Sequence, residues 1–285
     1  MPWIAAAWTI LAWGATPAAT KLAVAEVDPL TVGMLRTVFA AMLALPVALV
    51  LRHALPGNAR EWRLLLISAV CGFAGFPILF TLALAHTSTA HAALVLAATP
   101  VFTSLFGFAV ERRLPGRGWW LGVSLAFAGE AALVGLSARA SGEASAFGDL
   151  MALTSSLMVG AGYVAGSRLS ATLGSWGVTL WGVTVGAAVQ FPFAAWAVAH
   201  GALDGAGVQG WWALAYLSGV SALLAYAAWY WALAAGSVVR IAPMQFLQPL
   251  VTLVLAVLVF GEAMTPTLLA AGIAILLGVA VARRG

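Results

Sequence analysis

Nearly all of this chain consists of apolar runs about as long as a bilayer is thick, and the order of those runs occurs twice. Leu82–Ala85 (LALA) returns as Trp231–Ala234 (WALA) 149 positions later, and Pro100 in AATPVF stands at the same distance from Pro249 in FLQPLV. An apolar run of about 20 residues is long enough to cross lipid as a helix. In lipid no water satisfies the backbone, so a helix must satisfy its own. Five crossings per copy turn the second copy upside down relative to the first. Inverted repeats are a carrier architecture, placing a site at the membrane midplane that opens to either face.

Composition narrows the function classes. The 285 residues are 63% hydrophobic and 8% charged, with mean hydropathy +1.03, against about 25% charged in a soluble domain. No loop is long enough to hold a soluble domain. The pI of about 9.8 invites a nucleic-acid partner. The 13 Lys and Arg are instead scattered over short loops, so no nucleic acid is expected. Cys71 is single, which excludes an internal disulfide. The N-terminus lacks a basic leader region and reads on as a membrane helix. There is no Walker loop, CxxC, HExxH or His/Asp cluster, and no nucleophile with a base nearby. Neither an enzyme nor a cofactor or metal is expected.

Turn and charge signals divide the chain into ten segments, roughly 3–24, 30–51, 63–85, 88–110, 118–137, 148–168, 176–199, 211–234, 237–260 and 267–283. The expected fold is an all-α integral membrane protein, a single domain of ten transmembrane helices. They form two inverted five-helix repeats (about 1–140 and about 147–285) around a central cavity, with Ala138–Phe147 as the seam. With the N-terminus inside, Arg52, Arg60, Arg63, Arg112, Arg113, Arg117, Arg168, Arg240, Arg283 and Arg284 fall on cytoplasmic loops. Only Lys21 and Arg139 fall outside, so both termini are expected in the cytoplasm. Trp62, Trp119, Trp120, Trp176, Trp211 and Trp212 stand at segment starts and read as an interfacial aromatic belt.

Polar residues inside the segments are the candidates for function. Segment 1 carries Thr9, Trp13, Thr16 and Thr20 on one helical face, and segment 6 carries Ser156, Gly160, Tyr163 and Ser167. Such stripes face protein or a watery cavity, since hydroxyls also serve as contacts between membrane helices. Trp13 aligns with Gly160, a large ring opposite empty space. Pro17 lies mid-helix and predicts a kink or a freed carbonyl. Phe80 aligns with Trp229, in the aromatic run Tyr226, Trp229, Tyr230 and Trp231.

Segment 9 puts Gln245, Gln248 and Thr252 on one face, aligned with Leu96, Thr99 and Thr103 of segment 4. Amides in a lipid-spanning helix need partners, which are neighbouring helices or a zwitterionic solute. Pro100 and Pro249 predict discontinuous helices. Arg36 and Glu130 lie at similar depth, which allows an ion pair. His91, aligned with Arg240, and Glu130 are the candidates for proton coupling. Gly162–Gly166, Gly118–Gly122 and Gly182–Gly186 are small-residue spacings for close helix contact.

In order along the chain, Trp13-Gly14 followed by Lys21, Pro100 followed by Glu111, and Pro249 followed by Phe260-Gly261-Glu262, with Gly272 and Gly278, resemble the drug/metabolite transporter superfamily, EamA type. The resemblance covers nearly the whole length. Within that superfamily the chain is most similar to the YddG-type bacterial inner-membrane exporters of aromatic amino acids. The resemblance implies ten helices around a cavity lined by segments 1–4 and 6–9, with segments 5 and 10 peripheral. It supports cavity roles for the faces of Trp13, Tyr163 and Gln245, and it weakens Glu130 as a site residue. The spacing from Pro100 to Glu111 is shorter than that from Pro249 to Glu262, a departure from the repeat.

The expected function is export of amino acids or similar small metabolites by alternating access in the bacterial inner membrane. A broad exporter of hydrophobic drugs is the alternative. The expected substrate-binding set is Thr9, Trp13, Thr16, Phe80, Thr99, Tyr163, Trp229, Tyr230, Gln245 and Gln248. The partners expected are a small-molecule substrate and the lipid bilayer, with the oligomeric state left open.

Overall fold

The computed structural model describes residues 1–86, 98–112, 115–138, 145–260 and 266–282. Every regular element among them is helical. Helices α1 (Pro2–Gly14) and α2 (Thr16–Val24) are one apolar stretch broken at Ala15. Pro17 has no N–H to offer the Trp13 carbonyl four residues back, and the break falls there. Helix α3 (Pro29–Val50) starts where Asp28 accepts from the Thr31 N–H at 3.0 Å, with Pro29 in the first turn. Asn58 caps α4 (Ala59–Ile67) in the same way, accepting from the Glu61 N–H at 3.0 Å.

Helix α4 passes into α5 (Phe76–His86) through a π-helical stretch, Ser68–Gly75. Then come α6 (Thr99–Glu111), α7 (Arg117–Ala138) and α8 (Ala146–Ala199). If straight, the 54 residues of α8 would reach about 80 Å, against a hydrocarbon core of about 30 Å. Gly174, at φ 71°, breaks it within the expected turn Ala171–Ser175, in a region of backbone space that suits glycine. Helix α9 (Val208–Ala215) passes through a second π-helical stretch, Tyr216–Leu224, into α10 (Ala225–Gly236). Helix α11 (Val238–Ile241), a 3₁₀ turn (Ala242–Leu247) and α12 (Gln248–Phe260) form the discontinuous segment expected at Pro249. Helix α13 (Pro266–Ala282) follows.

Four continuous stretches among the described residues are long and apolar enough to cross a membrane: Pro29–Val50, Ala59–Phe80, Ala146–Ala199 and Val208–Gly236. Element starts recur along the chain. Ala59 and Val208, Phe76 and Ala225, Thr99 and Gln248, and Arg117 and Pro266 are each 149 residues apart.

Glycines set the closest helix contacts. A Cβ on Gly122 would collide with the backbone of Ala282 and Gly278, so α7 and α13 lie nearly backbone to backbone. Gly162 meets Gly72, Gly166 meets the Tyr230 ring, Gly182 meets the Phe73 ring, and Gly186 meets the Phe73 Cβ and the Ala69 carbonyl. The main apolar core joins α1, the π-helical stretches, α8 and α10. Trp62, Trp120, Trp176, Trp211 and Trp212 are exposed, as an interfacial belt requires. Trp119 departs from that expectation. It is 1% exposed, its Nε1–H donates to the Val239 carbonyl at 3.3 Å, and its ring meets Phe108 edge-on. Its length fills the corner between α6, α7 and the start of the 3₁₀ turn.

Candidate functional site

Aromatic side chains meet at the centre of that core. Trp13 on α1 stacks on Tyr163 of α8 at 5.7 Å, with a 20° interplanar angle. It meets Tyr226 edge-on at 5.3 Å and tilts against Trp229 at 5.6 Å, both from α10. Tyr163 touches Tyr226 at 5.8 Å and Trp229 at 6.0 Å, and Phe73 packs on Tyr226 at 4.4 Å. Each such ring pair adds about 0.5–1.5 kcal/mol beyond its buried area. Sequence reasoning put Trp13, Tyr163 and Trp229 at the site, and the fold brings them together. It left Phe73 and Tyr226 out of the site, and Tyr226 touches four rings, the most in the cluster. Tyr226 lies three residues before Trp229, on the same helical face, which was the available signal.

The two π-helical stretches supply carbonyls to side chains around the rings. The Trp13 indole N–H donates to the Ser221 carbonyl at 3.1 Å, and the Tyr226 hydroxyl donates to the Gly72 carbonyl at 3.3 Å. The Phe73 carbonyl accepts from Gln190 Nε2 at 2.7 Å and from the Thr37 hydroxyl at 3.4 Å. π-helical turns concentrate at functional sites. Tyr230 serves a different purpose, bonding Ser68 Oγ at 2.8 Å and packing its ring on Gly166. It ties α10 to the first π-helical stretch and to α8 at the edge of the cluster.

The hydroxyl stripe of α1 faces protein. The Thr9 hydroxyl donates to the Ala225 carbonyl at 3.2 Å, and Thr16 Oγ1 bonds Ser221 Oγ at 3.1 Å. The space expected at Gly160 is filled. Thr103 of α6 sits against it, with the Thr103 N atom 3.1 Å from where a Cβ would be, and Thr99 bonds Ser156 at 3.0 Å.

The two glutamines have different surroundings. Gln245 lies in the 3₁₀ turn and is 7% exposed, with Oε1 buried and unpartnered. Gln248 opens α12 and reaches from Nε2 to the Trp13 carbonyl at 3.5 Å, beside the Thr252 hydroxyl, which donates to the Gly14 carbonyl at 2.9 Å. These are the carbonyls at the Pro17 break.

Phe80 stands apart from the ring cluster. It stacks on Phe76 at 5.9 Å and packs near Ala83, Met151 and Ala152. The ion pair expected between Arg36 and Glu130 does not form. Arg36 Nη2 donates to Ser221 Oγ at 3.3 Å, because α3 packs on α8 and on the second π-helical stretch. Glu130 belongs to the α7–α13 contact, where it is 7% exposed and its Oε2 has no hydrogen-bond partner. His91 and Leu96 lie outside the described residues.

Two carboxylates hold loops at positions distant from the rings. Glu26 Oε2 accepts from the N–H groups of Gly207 and Gly210 at 2.9 and 2.8 Å, capping α9. Glu111 accepts from the Ser237 hydroxyl at 2.6 Å and from the Val238 N–H at 2.8 Å, capping α11. A carboxylate at a helix N-terminus is stabilised by the exposed N–H groups.

The whole chain can now be set beside known proteins. Residues 2–135 and 146–284 match the EamA-like transporter family. The chain is 32% identical to "Uncharacterized transporter YdeK" of Bacillus subtilis (strain 168), over 99% of this chain and 96% of that one. It is 24% identical to an "Uncharacterized transporter" of Archaeoglobus fulgidus, over 90% of this chain and 88% of that one. A crystal structure 22% identical in sequence has the same fold, at TM-score 0.79 over 99% of this chain and 96% of the other. The chain belongs to the EamA-like transporter family and is a multi-pass membrane protein.

Proposed function

We propose that this EamA-like transporter exports amino acids, aromatic ones foremost, and similar small metabolites by alternating access across a bacterial inner membrane. Ten helices form two inverted five-helix repeats, both termini are cytoplasmic, and the halves rock about a midplane site. The recurrence of element starts at a spacing of 149 residues supports the repeat. Paired π-helical stretches at Ser68–Gly75 and Tyr216–Leu224 support it as well.

One observation carries the substrate reading. Trp13 and Phe73 from the first half and Tyr163, Tyr226 and Trp229 from the second close on one another at ring-contact distance. Parted by a rocking motion, these walls present aromatic faces on opposite sides of a solute ring. The unpartnered Gln245 Oε1 is an acceptor for an ammonium group. Thr16 and Gln248 lie partly exposed beside the Pro17 break and supply further polar contacts. Thr9 and Thr99 support the walls through their bonds to Ala225 and Ser156.

The test is uptake of labelled tryptophan into proteoliposomes, with threonine and a cationic dye in parallel, with and without a pH gradient. Saturable tryptophan flux is expected, lost in Trp13→Ala and reduced in Gln245→Ala. Dye flux without tryptophan flux, indifferent to Gln245→Ala, would replace this reading with export of hydrophobic drugs.

A further inference from the structure

Arg36 lies within a bilayer-length helix, yet its guanidinium is turned to the ring cluster and to no acid. Nη2 donates to Ser221 Oγ at 3.3 Å, and the phenols of Tyr226 and Tyr163 are within electrostatic reach. Each of these neighbours is neutral. Among the described residues no carboxylate pairs with Arg36. A guanidinium carries five N–H donors in a planar fork, and this hydrogen bond uses one. A charge held in lipid normally pairs with another or lines a solute path.

A second donor, within the ring cluster, also lacks an acceptor. Trp229 is fully buried, and its indole N–H has no hydrogen-bond partner. Its ring lies 5.6 Å from Trp13, whose own N–H is bound to the Ser221 carbonyl. Ser221 therefore connects the rings to Arg36, with its carbonyl on Trp13 and its hydroxyl on Arg36 and Thr16. The region is rich in unspent donors beside an uncompensated positive charge.

We propose that Arg36 anchors a carboxylate of the transported solute, with the Trp229 N–H as a second donor beside the aromatic walls. The inference rests on the aromatic-solute reading above and narrows the cargo to ring-bearing acids and zwitterions with a free carboxylate. A planar guanidinium receives a carboxylate through two parallel hydrogen bonds, a geometry that an ammonium does not offer. Ser221 and Thr16 orient the guanidinium. The arrangement also accounts for an arginine at this depth without an acid of its own: the counter-charge arrives with the cargo.

The experiment is counterflow in proteoliposomes with labelled tryptophan and labelled leucine as tracers. The competitors are indole-3-propionate, which has the ring and carboxylate only, tryptamine, which lacks the carboxylate, and tryptophan methyl ester, which masks it. Indole-3-propionate is expected to compete, while tryptamine and the ester weaken by about 30-fold or more, the cost of leaving a buried charge unpaired. Arg36→Gln should flatten that preference, and Arg36→Lys should fall between. Equal competition by tryptophan, its ester and tryptamine in the wild-type protein overturns the proposal, needs no variant, and leaves the ring reading standing. A carboxylate preference without a ring preference, seen as equal handling of leucine and tryptophan, supports Arg36 and sinks the ring reading. Absence of flux for both tracers overturns both.

Discussion

Among the contacts between the first and second halves of the chain, two lie at matching positions, and they differ in which groups they hold together. Where α6 crosses the first part of α8, Thr103 packs on Gly160 and Thr99 bonds Ser156, hydroxyl to hydroxyl, with all four residues buried. Where α12 crosses α1, Thr252 and Gln248 stand 149 residues after Thr103 and Thr99. They bond the Gly14 and Trp13 carbonyls, and both are partly exposed. Each crossing uses a glycine for close approach, so distance is not what separates them. The first is a dry contact between side chains, where separation strands polar groups at a cost of about 1–3 kcal/mol each. The second engages backbone carbonyls beside the partly exposed Thr16, Gln248 and Thr252, where water or a solute is a ready substitute. Of the two, the α1–α12 crossing opens at the smaller cost.

The largest expected effect tests the shared feature. A Cβ on Gly14 would stand 2.5 Å from the Val251 Cβ, an atom fixed by its own backbone. Gly14→Ala should cost about 1–3 kcal/mol as overpacking, read as a lowered melting temperature in detergent. Gly160→Ala meets Thr103 at 3.1 Å and should cost less, about 1 kcal/mol. The reverse order would mean that α6, not α12, makes the closer approach. Thr99→Val removes the dry hydroxyl pair, and about 0.6 kcal/mol is expected, the mean for interhelical hydrogen bonds in membranes. Smallest is Gln248→Leu, whose bond to Trp13 lies at the long limit. Its stability cost should stay below about 0.5 kcal/mol, while exchange flux changes. If Thr99→Val and Gln248→Leu cost the same and flux is untouched, the distinction between the crossings is wrong.

Much of the fold was legible from apolar run length and turn chemistry. The apolar run at 30–51 located α3, the gap between the segments ending at 168 and starting at 176 holds Gly174, and Pro17 and Pro249 marked interrupted helices. The small-residue spacings found their contacts because a glycine row has one structural use in lipid, close approach. The π-helical stretches were not legible, since no residue type demands them. The 3₁₀ turn was missed for a related reason: no residue type demands it, and residues three apart such as Gln245 and Gln248 fall on one side in either winding. Arg36 was paired with Glu130 on depth alone. Depth leaves rotation about the helix axis free, and packing of α3 on the second π-helical stretch set that rotation. Trp119 took a core place because a segment start can face a neighbour as well as an interface.

The missing N–H of Pro17 has a consequence for the α1–α12 crossing that neither partner reveals. The Trp13 carbonyl lacks the N–H four residues on that an α-helix would supply, so Gln248 from the far half meets no rival of that kind. Pro17→Ala would supply that rival four residues away. The helix would mend itself, and the cross-chain bond would face a competitor already tethered in place. A substitution that removes no contact between the halves would thereby loosen one.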